Sequence, residues 1–551
     1  MAGDFGDPRL AGYFDVEDRR VGTSGTIPFE KAEFPASFPF ARWNFQSQKY
    51  LTYWRYFTGE FLEETIPNQQ DEDGNPILKY PLQINYIKSA AMKHNYVLWG
   101  EVQDTPDCLA PVRARPRLDA GQERPEDDEV QKAKEAENLV NRVWIENSGR
   151  ALQQESGLLQ QFLGGIIIRV GWQPDDDELE YGIRLEYILP DFFLPVWDNG
   201  KPDNLLEAWI VYRMPSREAQ IRFGFDGSND TNAQPLYIEH WTKESISITL
   251  GGKPISYNIN GVDITYDDID NPFGFVPFVY IPRERAGSYY GLSMIDDLIG
   301  MVKEMNSRWA DLGDVIRDTS HRDIFVRNVP GNIRTRDIGS SRSAIDLGTA
   351  SPGSSDPEAF VIDPPSLAES LTTYPEDLRK QFMRDAFITG VSEGEDEGSQ
   401  RSALTLAFRM WPLTAKVRTI RTNWGVALTR IAKMIVKMAA IKDVAGITLE
   451  HLEDIDWEVD WSPMVPRDAE QELNAVVTNV QTNLMSHVTA IEKQRTVHDP
   501  LDEWEKIKDD MKWMASLEAS KTPQKQADGT TKVSPDLPSL GQSGSPTTET
   551  E

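Results

Sequence analysis

The chain has 551 residues, a formal net charge of −31 and a single cysteine, Cys108. That length allows two to four domains, and 39% apolar residues with fifteen Trp exclude a chain disordered throughout. The charge argues against a nucleic-acid binder with a generally basic surface, one cysteine excludes an intrachain disulfide and fits a reducing compartment, and no run reaches the roughly 18 apolar residues of a membrane-spanning helix.

The opening MAGDFGDPRL has neither the basic nor the apolar run of a secretory leader. Residues 1–40 are rich in Gly, Pro and Phe with little periodicity, and read as an N-terminal arm that wraps a neighbour or stays mobile. From 41 to 65, Trp43, Tyr50, Trp54, Phe57 and Phe61 recur at helical spacing and predict a core-facing stripe. A second helix is expected around 84–98. PEDDEVQKAKEAENLVNRVWIEN opens on Pro and acids, as a helix N-terminus does, with Val130, Ala133, Val140 and Trp144 as its apolar stripe. RALQQESGLLQQFLGG predicts a further helix stopped by Gly.

From 166 to 290 the pattern turns to strands: IIIRVGW, EYGIRLEYIL, LEAWIVYRM, LYIEHWT and SISITL, divided by turn signals such as DNGKPDN and LGGKP. Helix returns at 291. Ile295, Leu298, Val302, Met305, Trp309, Leu312 and Ile316 follow a 3-4-3-4-3-4 spacing, a narrow heptad seam that calls for helical neighbours. Residues 321–365 read as a compact insert of short strands and turns. Within it Arg322, Arg327, Arg334, Arg336 and Arg342 face only Asp323 and Asp337 up to Ile345, a basic island in an acidic chain. A second helix is expected over 366–389, with Pro375 inside it and Gly390 as its stop.

Residues 392–400 then read SEGEDEGSQ, and the stretch 401–442 that follows holds nine Lys/Arg and no acid. A long helix is expected there. Leu413, Val417, Ile420, Trp424, Ala427, Ile431, Ile435 and Met438 lie along one side, and Pro412 should kink or break it. Residues 451–468 form an acidic, strand-like passage ending in two prolines, C-terminal helices follow, and the Lys/Thr/Pro/Gly/Ser-rich end of the chain reads as disordered.

Catalytic and cofactor signals are weak. The six His are scattered without zinc-ligand spacing, and no phosphate-binding glycine loop or nucleophile elbow occurs. DEDGNP starts like a calcium loop but has Pro76 at the glycine position and Leu82 at the twelfth. DDDE (175–178) and DDID (267–270) could hold magnesium for hydrolytic chemistry, although both fall in predicted strand-connecting loops. No cofactor or metal is expected, and an enzyme is the less favoured alternative.

The order of elements, together with three passages, resembles the portal proteins of tailed double-stranded DNA bacteriophages, the head-to-tail connectors. FGFVPFVYIPRERAGSYYGLSMIDDLIGMVKEMNSRWADL is similar to the portal entry into the first stem helix: a Pro-aromatic strand, a Gly-x-Ser turn, then a helix carrying Asp297 and Asn306. GSQRSALTLAFRMWPL is similar to the start of the helix after the tunnel loop. VDWSPMVPRDAEQEL followed by HDPLDEWEKI looks like the passage into the portal crown.

The resemblance covers roughly 40–515. It implies an α+β portal fold: a mixed wing (41–290), a stem helix (291–320), a small β-containing clip (321–365) and a second stem helix (366–390). A tunnel loop (391–402) follows, then a kinked helix returning to the wing (403–465), a helical crown (466–515) and a disordered tail (516–551). It implies a homo-oligomeric, twelve-membered ring at one capsid vertex of the virion, assembled in the host cytoplasm, that conducts double-stranded DNA during packaging and ejection. Implied partners are further copies of the chain, the terminase large subunit, a head–tail adaptor or connector protein, and the major capsid protein with its scaffold. The tunnel loop would present Glu393, Glu395, Asp396 and Glu397 to the DNA, and the clip arginines would dock the partners. Two other readings remain: another oligomeric virion or tail component, and a metal-dependent nuclease or hydrolase.

Overall fold

The computed structural model describes residues 31–60, 69–70, 76–77, 84–100, 110–117, 125–174, 178–198, 200–224, 234–259, 262–287, 289–320, 323–327, 344–346, 358–362, 369–388, 403–464, 469–494 and 500–521. Its class is α+β, as expected. The chain divides into one unit over 1–467 and a second over 468–551.

The first unit is built around a strand that is buried along its whole length, Gly165–Trp172. It is the middle of a three-stranded antiparallel sheet, flanked by Phe278–Pro282 and Ile183–Ile188. Burial on both faces explains the continuous apolar run IIIRV, where a half-exposed strand would alternate. A larger antiparallel sheet runs in the order Lys253–Pro254, Ser245–Leu250, Leu236–Thr242, Lys201–Arg213, Phe193–Asp198, with Ile269–Asp270 added against Ser245–Leu250. The predicted strand region is therefore present. So is the acidic strand, Ile455–Val459, which pairs antiparallel with Val112–Pro116.

Helices pack on these sheets. Phe40–Thr58 buries Trp43, Tyr50 and Trp54, and Phe57 stacks on Phe162 with ring centroids 3.9 Å apart. Phe61 lies outside the described residues. Part of the expected arm belongs to the body, because Phe34 and Phe38 pack with Trp43, Trp209 and Ile238 in a separate apolar cluster. The helix Asp127–Glu146 starts with a capping box formed by Glu126 and Glu129. It buries Ala133, Ala136, Leu139, Val140, Val143 and Trp144. Val130, assigned to that stripe, is exposed: it falls in the first turn, which runs ahead of the contact surface. Gly149–Leu163 ends on Gly164 in the left-handed region, as its Gly-Gly predicted.

Two helices flank a small sheet. The first is Ile299–Ser320 and the second Glu369–Asp385, which continues through Pro375. Between them, Asp323–Arg327 pairs parallel with Ala344–Asp346 and antiparallel with Glu358–Ile362. The first helix starts at Ile299, eight residues later than the expected start at 291, because Gly291 and Ser293 use the preceding residues for turns. The long helix Ala403–Lys442 runs unbroken through Pro412. All eight of its predicted apolar residues are buried, from Leu413 to Met438. Apolar contact along one side holds the helix together across the hydrogen bond that proline cannot donate.

Among its described residues the second unit contains three helices, Ala469–Gln481, His487–Gln494 and Pro500–Lys521. Asn483 in the left-handed region ends the first, where Leu484 N donates back to Asn479 O (2.9 Å). Ser486 Oγ caps the second by accepting Thr489 N (3.1 Å), and His487 stacks on Trp504 at 4.4 Å.

Candidate functional site

The neck where the sheets hand over to the helix pair gathers a large share of the polar side chains that the fold has buried. Strand Phe278–Pro282 delivers the chain to Arg283, whose N–H donates to Gly164 O (2.8 Å). A few residues on, Gly291 passes so close to Gly164 O that a Cβ would overlap it, so glycine is required by backbone proximity. Ser293 Oγ donates to Phe162 O and accepts Ile295 N (3.0 Å). Met294 N donates to Gln161 O (3.2 Å). The Gly-x-Ser turn is thus stitched to the end of the Gly149–Leu163 helix.

Side chains lock the same place from the other direction. Gln161 Oε1 accepts Arg283 Nε (3.1 Å), and Gln160 Oε1 accepts Trp424 Nε1 (2.7 Å). Asn423 Nδ2 donates to Arg283 O (3.0 Å). Lys416 pairs with Glu284 at 2.7 Å and lies over the Phe387 ring. Burial pulls the Arg283 guanidinium below its usual range, while Glu284 and Asp297 oppose that. Arg421 Nε donates to Leu98 O (2.8 Å), and Arg421 NH2 donates to Val97 O (3.3 Å), the last carbonyls of the Tyr86–Trp99 helix. Placing a cation on that negative helix end offsets part of its desolvation. Burial, then Arg418, lowers Arg421 to about 10.

His94 joins this network to the end of the second helix of the pair. Its Nε2 lies 2.7 Å from Ala386 O and donates to it in the neutral form. Burial first, then Arg283 and Lys416, lowers its pKa to about 3. Asn306 fastens the first helix: its Oδ1 accepts Ile84 N (3.0 Å), and its Nδ2 donates to Ile84 O (3.3 Å) and Val302 O (3.0 Å). Both residues are buried.

The structure places the predicted residues unevenly. Of the seam, Ile295, Leu298, Val302 and Met305 are fully buried and Leu312 nearly so, whereas Trp309 is half-buried and Ile316 is 48% exposed. Ile295 and Leu298 precede the helix rather than lying in it. Arg327 ends its strand opposite Glu358, with its side chain exposed. Arg322, Arg334, Arg336 and Arg342 lie outside the described residues, as do Glu393, Glu395, Asp396 and Glu397. Of the candidate magnesium acids, Asp267, Asp268 and Asp270 are exposed and 175–177 lie outside. Among the described residues no three His, Cys, Asp or Glu are grouped to hold a metal.

One charged site gave no sequence signal beyond an arginine in an apolar run. Arg169 is buried between the sheets, 3.4 Å from Glu186 on the neighbouring strand and 3.3 Å from Glu239 on the larger sheet. Burial lowers its pKa, but Glu239 and Glu186 outweigh that and keep it charged. Glu239 also accepts Tyr237 OH (3.1 Å) and Trp241 Nε1 (2.5 Å). Cross-strand pairing of Arg169 with Glu186 is set by strand register, which single-residue patterns do not carry.

Throughout the neck the described polar groups hold elements to one another. A family profile described as phage portal protein, SPP1 Gp6-like, matches residues 126–512, well over half of the chain. The chain belongs to this family of phage portal proteins, a structural family. No curated protein matches it closely enough to add to that assignment.

Proposed function

We propose that this portal protein closes into a homo-oligomeric ring of twelve copies at one capsid vertex, and that DNA is packaged and ejected through its channel. The observation that carries the proposal is the fading burial of the seam. Its near end is covered by the chain's own core, while at its far end Ile316 and Tyr374 of the neighbouring helix are each 48% exposed. An apolar seam half exposed at its far end is covered when helix pairs stand side by side in a ring.

In this reading Ile299–Ser320 and Glu369–Asp385 are the stem and the sheet insert between them is the clip. The sheets and the later part of the long helix form the wing, residues 391–402 the tunnel loop, and 466–515 the crown. The clip arginines dock the terminase large subunit during packaging and a head–tail adaptor afterwards, through charge-assisted bonds to acidic groups. Capsid protein and scaffold surround the ring in the host cytoplasm, where it is built. Native mass spectrometry tests the assembly: the expected species is a closed ring of 62.4 kDa subunits, twelve in number. A monomer that persists at micromolar concentration with the scaffold protein present would overturn the proposal.

A further inference from the structure

The long helix begins with an exposed aromatic step. Phe408 is 69% exposed and Trp411 is 56% exposed, and Arg409 and Pro412 beside them are exposed too. Burial begins abruptly at Leu413, which is fully buried. The Arg418 guanidinium stacks over Trp411 at 5.6 Å. Ahead of Leu413 the helix thus presents two large rings to solvent, and Arg418, two turns past Trp411, lies back over the nearer one.

Large exposed rings grouped on one element mark a surface made for a partner. The chemistry narrows the partner. Duplex DNA covers cations with phosphates but keeps its base faces stacked, so it leaves Phe408 and Trp411 wet. An acidic protein surface covers both. This chain supplies one: the stretch 401–442 has nine basic residues and no acid, although the chain as a whole carries −31. Outside this stretch a second copy carries 48 Lys/Arg against 88 Asp/Glu, a net −40, and so offers mainly the complementary charge. Repetition of one patch on a different patch of the next copy is also the arrangement that closes rings.

We propose that the face formed by Phe408, Trp411 and Arg418 is the anchor on which the adjacent copy of this chain docks. The proposal rests on the ring proposed above and locates one of its contacts. Aromatic and arginine residues together are the usual high-energy core of such contacts.

Hydroxyl-radical footprinting, read by mass spectrometry, tests this on the unaltered protein in ring and monomer fractions. Trp411 should be oxidised in the monomer and clearly protected in the ring, and Phe408 should follow it. The double variant Phe408→Ser/Trp411→Ser should melt as wild type does as a monomer. Its assembly midpoint should rise by about tenfold or more, as expected for loss of two aromatic anchors. If rings form but Trp411 is oxidised equally in both fractions, the docking face is wrong and the ring stands. If rings of the double variant assemble normally but package DNA poorly, the patch serves DNA and the proposal fails. If no ring forms under any condition, the underlying assembly reading fails first.

Discussion

At His94 the neck holds the imidazole neutral, because burial first and then the nearby Arg283 and Lys416 disfavour the charged ring, which outweighs the opposing pull of the Ala386 carbonyl it donates to. The folded pKa, about 3, lies below the unfolded value near 6.5. Above pH 6.5 both states hold the ring neutral and nothing depends on pH. As pH falls below 6.5 the unfolded chain takes up a proton that the fold refuses, so stability drops by up to about 1.4 kcal/mol per pH unit toward pH 3. His94→Gln keeps a donor for Ala386 O and removes the titration. Melting between pH 6.5 and 5, above most carboxylates, should show a flatter slope for the variant. Equal slopes would mean that another group sets the acid limit. Asn306 acts at the same scale without charge, since its amide satisfies both main-chain groups of Ile84.

At the scale of elements, the seam separates two functions that its spacing makes look alike. Val302 is fully buried within the chain, whereas Ile316, two repeats on, is largely exposed. Val302→Asp places an unpaired carboxylate in the core and should lower the stability of the monomer itself, by several kcal/mol. Ile316→Asp should leave monomer melting within about 0.5 kcal/mol of wild type and weaken only assembly. Thermal melts beside ring formation distinguish the two, and a monomer equally damaged by both would end the proposal of a neighbour at Ile316. The comparison also shows what the sequence could reveal. Apolar periodicity is local, so the seam, the buried face of the long helix and the strand region were legible. Apolar periodicity alone does not show the turn before Ile299, because Gly291 and Ser293 answer to Gly164 and Phe162, far off in sequence. The neck was legible only where a passage resembled known portals, at the Gly-x-Ser turn, Asp297 and Asn306. Its Gln160–Trp424 and Glu284–Lys416 pairs join residues more than a hundred positions apart, and no local pattern encodes them. Arg169 with Glu186 and Glu239 was missed for the same reason.

At the scale of the whole molecule, charge in the proposed ring has to serve two ends: copies must adhere and DNA must slide. The chain segregates its signs along the sequence accordingly, with Glu393, Glu395, Asp396 and Glu397 immediately ahead of a helix that carries only cations. In the proposed ring the cations meet neighbouring copies, and the four acids stand toward passing DNA, which carries one negative charge per about 1.7 Å. Like charge prevents the duplex from sticking to the collar. Replacing the four by Gln, Gln, Asn and Gln should therefore leave ring formation intact and slow DNA translocation in a packaging assay, with more DNA retained at the ring. The difference should be larger at 0.01 M salt, where charges act over about 30 Å, than at 0.1 M, where screening cuts the range to about 10 Å. A loss that is the same at both salt levels would assign the loop a steric role. Unchanged packaging and retention at both would remove these acids from the path of the DNA.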